Sequence, residues 1–136
     1  MSDLSDVLEN ALLNHVLRDT AYTPPGTNVF IALYTSATSD TGGGTEVSGG
    51  SYARVRVQGT GAWDAPSNGA TANTAEIAFP QASASWGTIT HVAIKDSSTS
   101  TGSNNHLWHG ALTSPKAVGN GDTFKFSAGD LDVTLA

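Results

Sequence analysis

The sequence contains no cysteine, which excludes a disulfide scaffold, a thiolate zinc centre and a cysteine nucleophile. Charge is also scarce: only 13% of the 136 residues are Asp, Glu, Lys or Arg. Six are basic and 12 acidic, for a formal net charge of −6. The cations Arg18, Arg54, Arg56, Lys95, Lys116 and Lys125 are scattered, with only Arg54 and Arg56 as near neighbours. Clustered cations supply most of the affinity for a nucleic-acid backbone, so nucleic acid is not an expected partner. No apolar run approaches the length of a bilayer span, so no membrane partner is expected either. The opening MSDLSDVLEN is acidic where a secretion signal is basic, which points to synthesis in a cytoplasm.

What the chain has in excess is Gly, Ser and Thr, which make up 47 of 136 residues. They give a polar surface with little charge. Such a composition suits an all-β protein with many turns, and it suits a molecule packed against neighbours. The length fits one domain with a core large enough to need no metal or disulfide.

The spacing of Leu4, Val7, Leu8, Ala11, Leu12, His15 and Val16 predicts a helix over Ser2 to Arg18. Ser2 is the expected N-cap, and Asp3, Asp6 and Arg18 suit the ends of the helix dipole. Thr23-Pro24-Pro25-Gly26 stops the helix. Beyond Gly26 the apolar period becomes two. Strands are expected over Asn28–Thr35, which is apolar on both faces, and over Tyr52–Gln58, Ala75–Pro80, Trp86–Lys95, 106–112 and Asp122–Ser127. A break is expected at Ser114-Pro115. Leu131, Val133 and Leu135 are expected to line one face of a final strand. The long loop Ser36 to Gly50 reads as too polar for a core, and as mobile or held by a partner. About seven strands behind one helix predict an all-β fold, a jelly-roll-like β-sandwich preceded by one N-terminal amphipathic helix. The organisation is a helix within 1–20 and a sandwich over 27–136, single-domain overall.

No constellation of catalytic residues stands out. His106 and His109 are three apart, which on a regular strand points them to opposite faces and argues against a two-histidine metal site. The alternative is two half-buried polar residues bonded to loops. His15 and His91 add no ligand pattern. Asp130 and Asp132 share a strand face, but two carboxylates without further oxygens do not make a calcium site. Gly42-Gly43-Gly44 and Gly49-Gly50 lack the G-K-[ST] of a phosphate loop, and no G-x-S-x-G elbow occurs. Contact residues are the better candidates. Trp63 lies in a polar loop, Trp108 is balanced between core and contact, and Tyr22 with Pro24 and Pro25 forms a second apolar patch beside the helix. Trp86 is expected in the core.

Several segments form an ordered series: LENALLNHVLRDTAYTPP, VFIALYTSA, GGGTEVSGGSYARV, AEIAFPQASASWGTITHVAIKD and HLWHGALTSPKAVGNGDTFKFSAGDLDVTL. In this series the chain resembles a family of small structural proteins of tailed bacteriophages and prophages. Members often carry a tail-fibre label, and some look like capsid cement, or decoration, proteins with a jelly-roll body. The resemblance implies a non-enzymatic virion protein with no cofactor and no metal. Its expected role is that of a cement subunit on the outer capsid surface, with the major capsid protein as partner. A homo-oligomer, dimer or trimer, fits such a subunit, with the helix over residues 2–18 either packed over an open sheet edge or reaching into a neighbouring copy. The alternative role is a tail fibre or tail-associated receptor- or glycan-binding module, with Trp63 and Trp108 as stacking platforms.

Overall fold

A computed structural model describes residues 3–135 of the chain. The expected N-cap Ser2 and the last residue of the sandwich range, Ala136, lie outside the described residues. The fold is an all-β sandwich with one N-terminal helix. Its elements are β1 (Asp3–Leu4), α1 (Asp6–Leu17), β2 (Phe30–Tyr34), β3 (Val55–Arg56), β4 (Ala70–Ala72), β5 (Ile77–Ala78), β6 (Gly87–Lys95), β7 (His106–Val118), β8 (Lys125–Phe126) and β9 (Asp132–Thr134). A short 3₁₀ turn over Ser103–Asn105 leads into β7.

The main sheet is antiparallel with strand order β1-β7-β6-β2-β3. Two small ladders, β4-β9 and β5-β8, face it. The core lies between these layers. Ile31, Leu33, Val92 and Ile94 of the sheet meet Ile77, Phe126 and Val133 of the ladders, and Phe79, Phe124 and Leu131 beside them in sequence, in one buried cluster. Trp86 is in that core as expected, with its indole N–H donating to the Gly50 carbonyl at 2.8 Å. Gly50 has φ +58°, and a Cβ there would stand 2.9 Å from the Trp86 indole nitrogen. Only a residue without a side chain fits that approach.

The helix begins later than its apolar spacing suggests. Asp3 and Leu4 pair with His109 and Trp108 as a fifth strand of the main sheet. The N-cap is Ser5, whose hydroxyl oxygen accepts from the Leu8 amide at 3.2 Å. Helix formation over residues 3–5 is overridden because β7 offers an open edge there. Of the expected apolar face, only Leu8 is buried, with Leu4 and Leu12 packed partly against the core. Burying one leucine is worth about 2 kcal/mol, which fixes the helix to the body.

Four further expectations are corrected. The loop 36–50 is held by its own chain: Val47 is buried, its amide bonds the Leu33 carbonyl at 3.0 Å, and Glu46 bridges to Tyr34. Strand β7 does not break at Ser114-Pro115 but runs to Val118. Ile89 pairs with Lys116 and His91 with Ala111, so residues 112–115 form a bulge that accommodates the proline. Leu135 does not share the buried face of Leu131 and Val133; it is 54% exposed. Strand β4, which carries only Ala-Thr-Ala, replaces part of a second loop expected over Gly59 to Asn73.

Candidate functional site

Trp63 and Trp108, the two indoles singled out in the sequence, come together. They line a cleft of about 240 Å³ with Val29, Gln58, Thr71, Ile94 and Val133. Trp63 is placed by the 59–63 turn and a bridge to Asn73, and Trp108 by its pairing opposite Leu4 and Ile94. Both are half-buried rather than outward-facing. The Trp63 indole N–H donates to the Val57 carbonyl at 2.9 Å, and that of Trp108 to the Thr134 carbonyl at 3.3 Å. The Gln58 side chain donates to the Gly26 carbonyl and accepts from the Val29 amide. The polar groups around the cleft are thus engaged with the chain itself, and what faces the opening is hydrocarbon and aromatic ring. Tyr22, Pro24 and Pro25 do not line it; Tyr22 packs against His15 with ring centroids 6.4 Å apart.

The other face of the main sheet carries a polar layer that sequence spacing does not reveal. Arg54, with only 3% of its side chain exposed, meets Glu46 through two nitrogens, Nε at 2.7 Å and Nη2 at 2.8 Å. It also donates to the Ser97 and Ser100 carbonyls, tying the 96–105 loop to the 36–50 loop. The Tyr52 hydroxyl donates to Glu46 at 2.8 Å and accepts from the Leu33 amide at 3.0 Å. Burial raises the Glu46 carboxyl, but the hydrogen bonds from Arg54 and Tyr52 outweigh it and hold its pKa below the usual value. Burial, with Glu46 nearby, pushes the Tyr34 hydroxyl up to about 12. Lys95 is 1% exposed, and burial, then Arg54, lowers its pKa.

The histidine geometry differs from that of a regular strand. Ile94 pairs with Trp108 and Lys95 with His106, so Leu107 is an extra residue that reverses the alternation of β7. His106 and His109 therefore share one face, with ring centroids 5.1 Å apart. His109 bonds to the loop through Thr38 Oγ1 at 2.9 Å and Asp40 Oδ1 at 2.8 Å, so both its nitrogens are used within the chain. Among the described residues, no group of three or more His, Cys, Asp or Glu is placed to hold a metal ion. Asp130 and Asp132 are exposed on the rim of a 490 Å³ groove beside Lys116 and Lys125. The only sequence signal for the polar layer was the placement of Arg54 on the same strand face as Tyr52. Nothing marked Glu46 as the partner of Arg54 and Tyr52, or Asp40 as the partner of His109.

One outer surface stands uncovered. Leu13, Val16 and Leu17 of α1 are 56%, 73% and 75% exposed. They follow i, i+3, i+4 spacing and so form one helical stripe. No helix among the described residues is long and apolar enough to cross a membrane.

The fold is an all-β sandwich in which the Arg54–Glu46 and His109–Asp40 pairs hold the loops to the body. The family model for podophage GP4 fiber I protein gp80 matches residues 3–134, and the chain belongs to that family. It is thus a bacteriophage structural protein of the virion. No curated protein matches the chain.

Proposed function

We propose that this chain is a subunit of the phage fibre apparatus that works by adhesion and catalyses no reaction. The observation that carries the reading is the apolar stripe Leu13-Val16-Leu17 on a helix locked to the body, in a chain of a fiber-named family. Leucine and valine exposed to this extent in one stripe are costly in water and are relieved by a neighbouring subunit. That neighbour is another copy of the chain, which makes the protein a small homo-oligomer, or an adjacent fibre component. The Trp63–Trp108 cleft adds an apolar pocket of side-chain size. A sugar needs hydrogen-bonding partners as well as a ring to stack on, and the polar groups here are engaged internally. The cleft therefore supports a protein contact more than a glycan platform.

The capsid-cement reading, with the major capsid protein as partner, differs in stoichiometry. A cement subunit coats the shell in hundreds of copies, whereas a fibre subunit follows the low symmetry of the tail. Quantitative densitometry of purified particles against the major capsid protein separates the two. Tens of copies or fewer support the fibre reading, and hundreds support cement.

A further inference from the structure

We propose that His106 is the trigger of an acid-operated latch that fastens the N-terminal segment, β1 with the first turn of α1, to the main sheet. The imidazole is fully buried, and neither ring nitrogen has a hydrogen-bond partner. Such a ring is tolerated while neutral and is costly once charged. Its surroundings oppose a second positive charge. Lys95 faces it from β6, and His109 from β7 stands 5.1 Å away. Asp40 and the Ser39 carbonyl, both from the 36–50 loop, favour the charged form, but the ring donates no hydrogen bond of ordinary geometry to that carbonyl. Burial, then Lys95 and His109, lowers the His106 pKa to about 4.

The position of the ring makes it a latch. The backbone beside it holds the N-terminal segment: the Ser5 hydroxyl donates to the His106 carbonyl and the Ser5 amide to the Leu107 carbonyl at 2.9 Å. The Asp6 amide donates to the Asp40 carbonyl at 3.1 Å, which closes the 36–50 loop over the same ring. Asp3 of the segment pairs opposite His109. With Glu9 of the first helical turn, Asp3 and Asp6 are the charged groups that the segment brings, and all three carboxylates are exposed at the surface. To take up a proton at ordinary affinity the ring must reach water. The way out lies through the loop and the segment, since the other side is the packed sheet. Acid therefore favours an open form in which Ser5 and Asp6 are released while β2 and β6 stay paired.

Hydrogen–deuterium exchange on the full chain tests this, with rates corrected for the intrinsic pH dependence of exchange. Between the ordinary imidazole pKa of about 6.5 and pH ~4, protection of the Ser5, Asp6 and Leu8 amides should fall about tenfold per pH unit. Protection in the β2–β6 ladder should fall less, and His106→Phe should remove the dependence with His109 left in place. Unchanged protection in the native chain, a parallel loss in the ladder, or the same loss in H106F would each overturn the latch. If H106F does not fold, an NMR titration of the native His106 ring decides. A midpoint well below 6.5 supports the latch, and one at or above it overturns the latch.

Discussion

At the scale of single residues, Arg54 does the most to join separate parts of the chain. It answers one carboxylate and two backbone carbonyls from loops far apart in sequence. Removing it leaves Glu46 enclosed without its counter-charge, a situation that typically costs about 3 kcal/mol. Arg54→Ala should lower unfolding free energy by roughly that amount in urea titration. Arg54→Lys should recover only part, because an ammonium cannot match the paired geometry. Gly50→Ala is a second residue-scale case: with φ +58° and the indole nitrogen 2.9 Å from the new methyl, it should cost about 2 kcal/mol. The same urea titration measures it. Alternation along Tyr52–Gln58 put Arg54 beside Tyr52 on one face, and that much was legible. Its partners arrive through a loop with no periodicity, so nothing in the sequence pointed from Arg54 to Glu46.

At the scale of elements, the apolar spacing of residues 4–16 was legible as a helix, and the structure has one. Its first residues join the sheet because β7 needs an edge partner, a non-local demand that no local pattern records. The bulge at Leu107 is of the same kind: one extra residue moves His106 and His109 onto one face and cannot be seen in the alternation of HLWHGAL. Strand β4 was missed because Ala and Thr carry no amphipathic signal. Since Leu8 sits in the core and Ser5 anchors β7, truncating the N-terminus would disturb folding as well as assembly. Substitution on the outer stripe separates the two. Leu13→Ser with Val16→Ser and Leu17→Ser should change folding stability by less than about 1 kcal/mol and abolish self-association or fibre incorporation. Urea titration checks the stability, sedimentation velocity the self-association, and pull-down with purified particles the incorporation.

At the scale of the whole molecule, two acid responses follow in order. The folded pKa of His106 lies below its unfolded value, so its contribution is complete above about pH 6.5 and erodes as pH falls toward 4. The Glu46 carboxyl is also held below its ordinary value, so its contribution persists until pH falls through the usual carboxylate range. Urea midpoints across pH should therefore begin to decline before carboxylates titrate, and His106→Phe should remove that early decline. The all-β class, the single helix and the virion-structural character were legible from composition, period and resemblance. The division between shell and fibre was not, because an adhesive body carries no chemical motif. Cryo-electron microscopy of particles assembled with and without this chain, compared by difference density, addresses that division directly. Particles lacking a fibre subunit should show missing density at the tail and an unaltered shell. Density lost from the capsid surface, with the tail intact, would contradict the fibre reading.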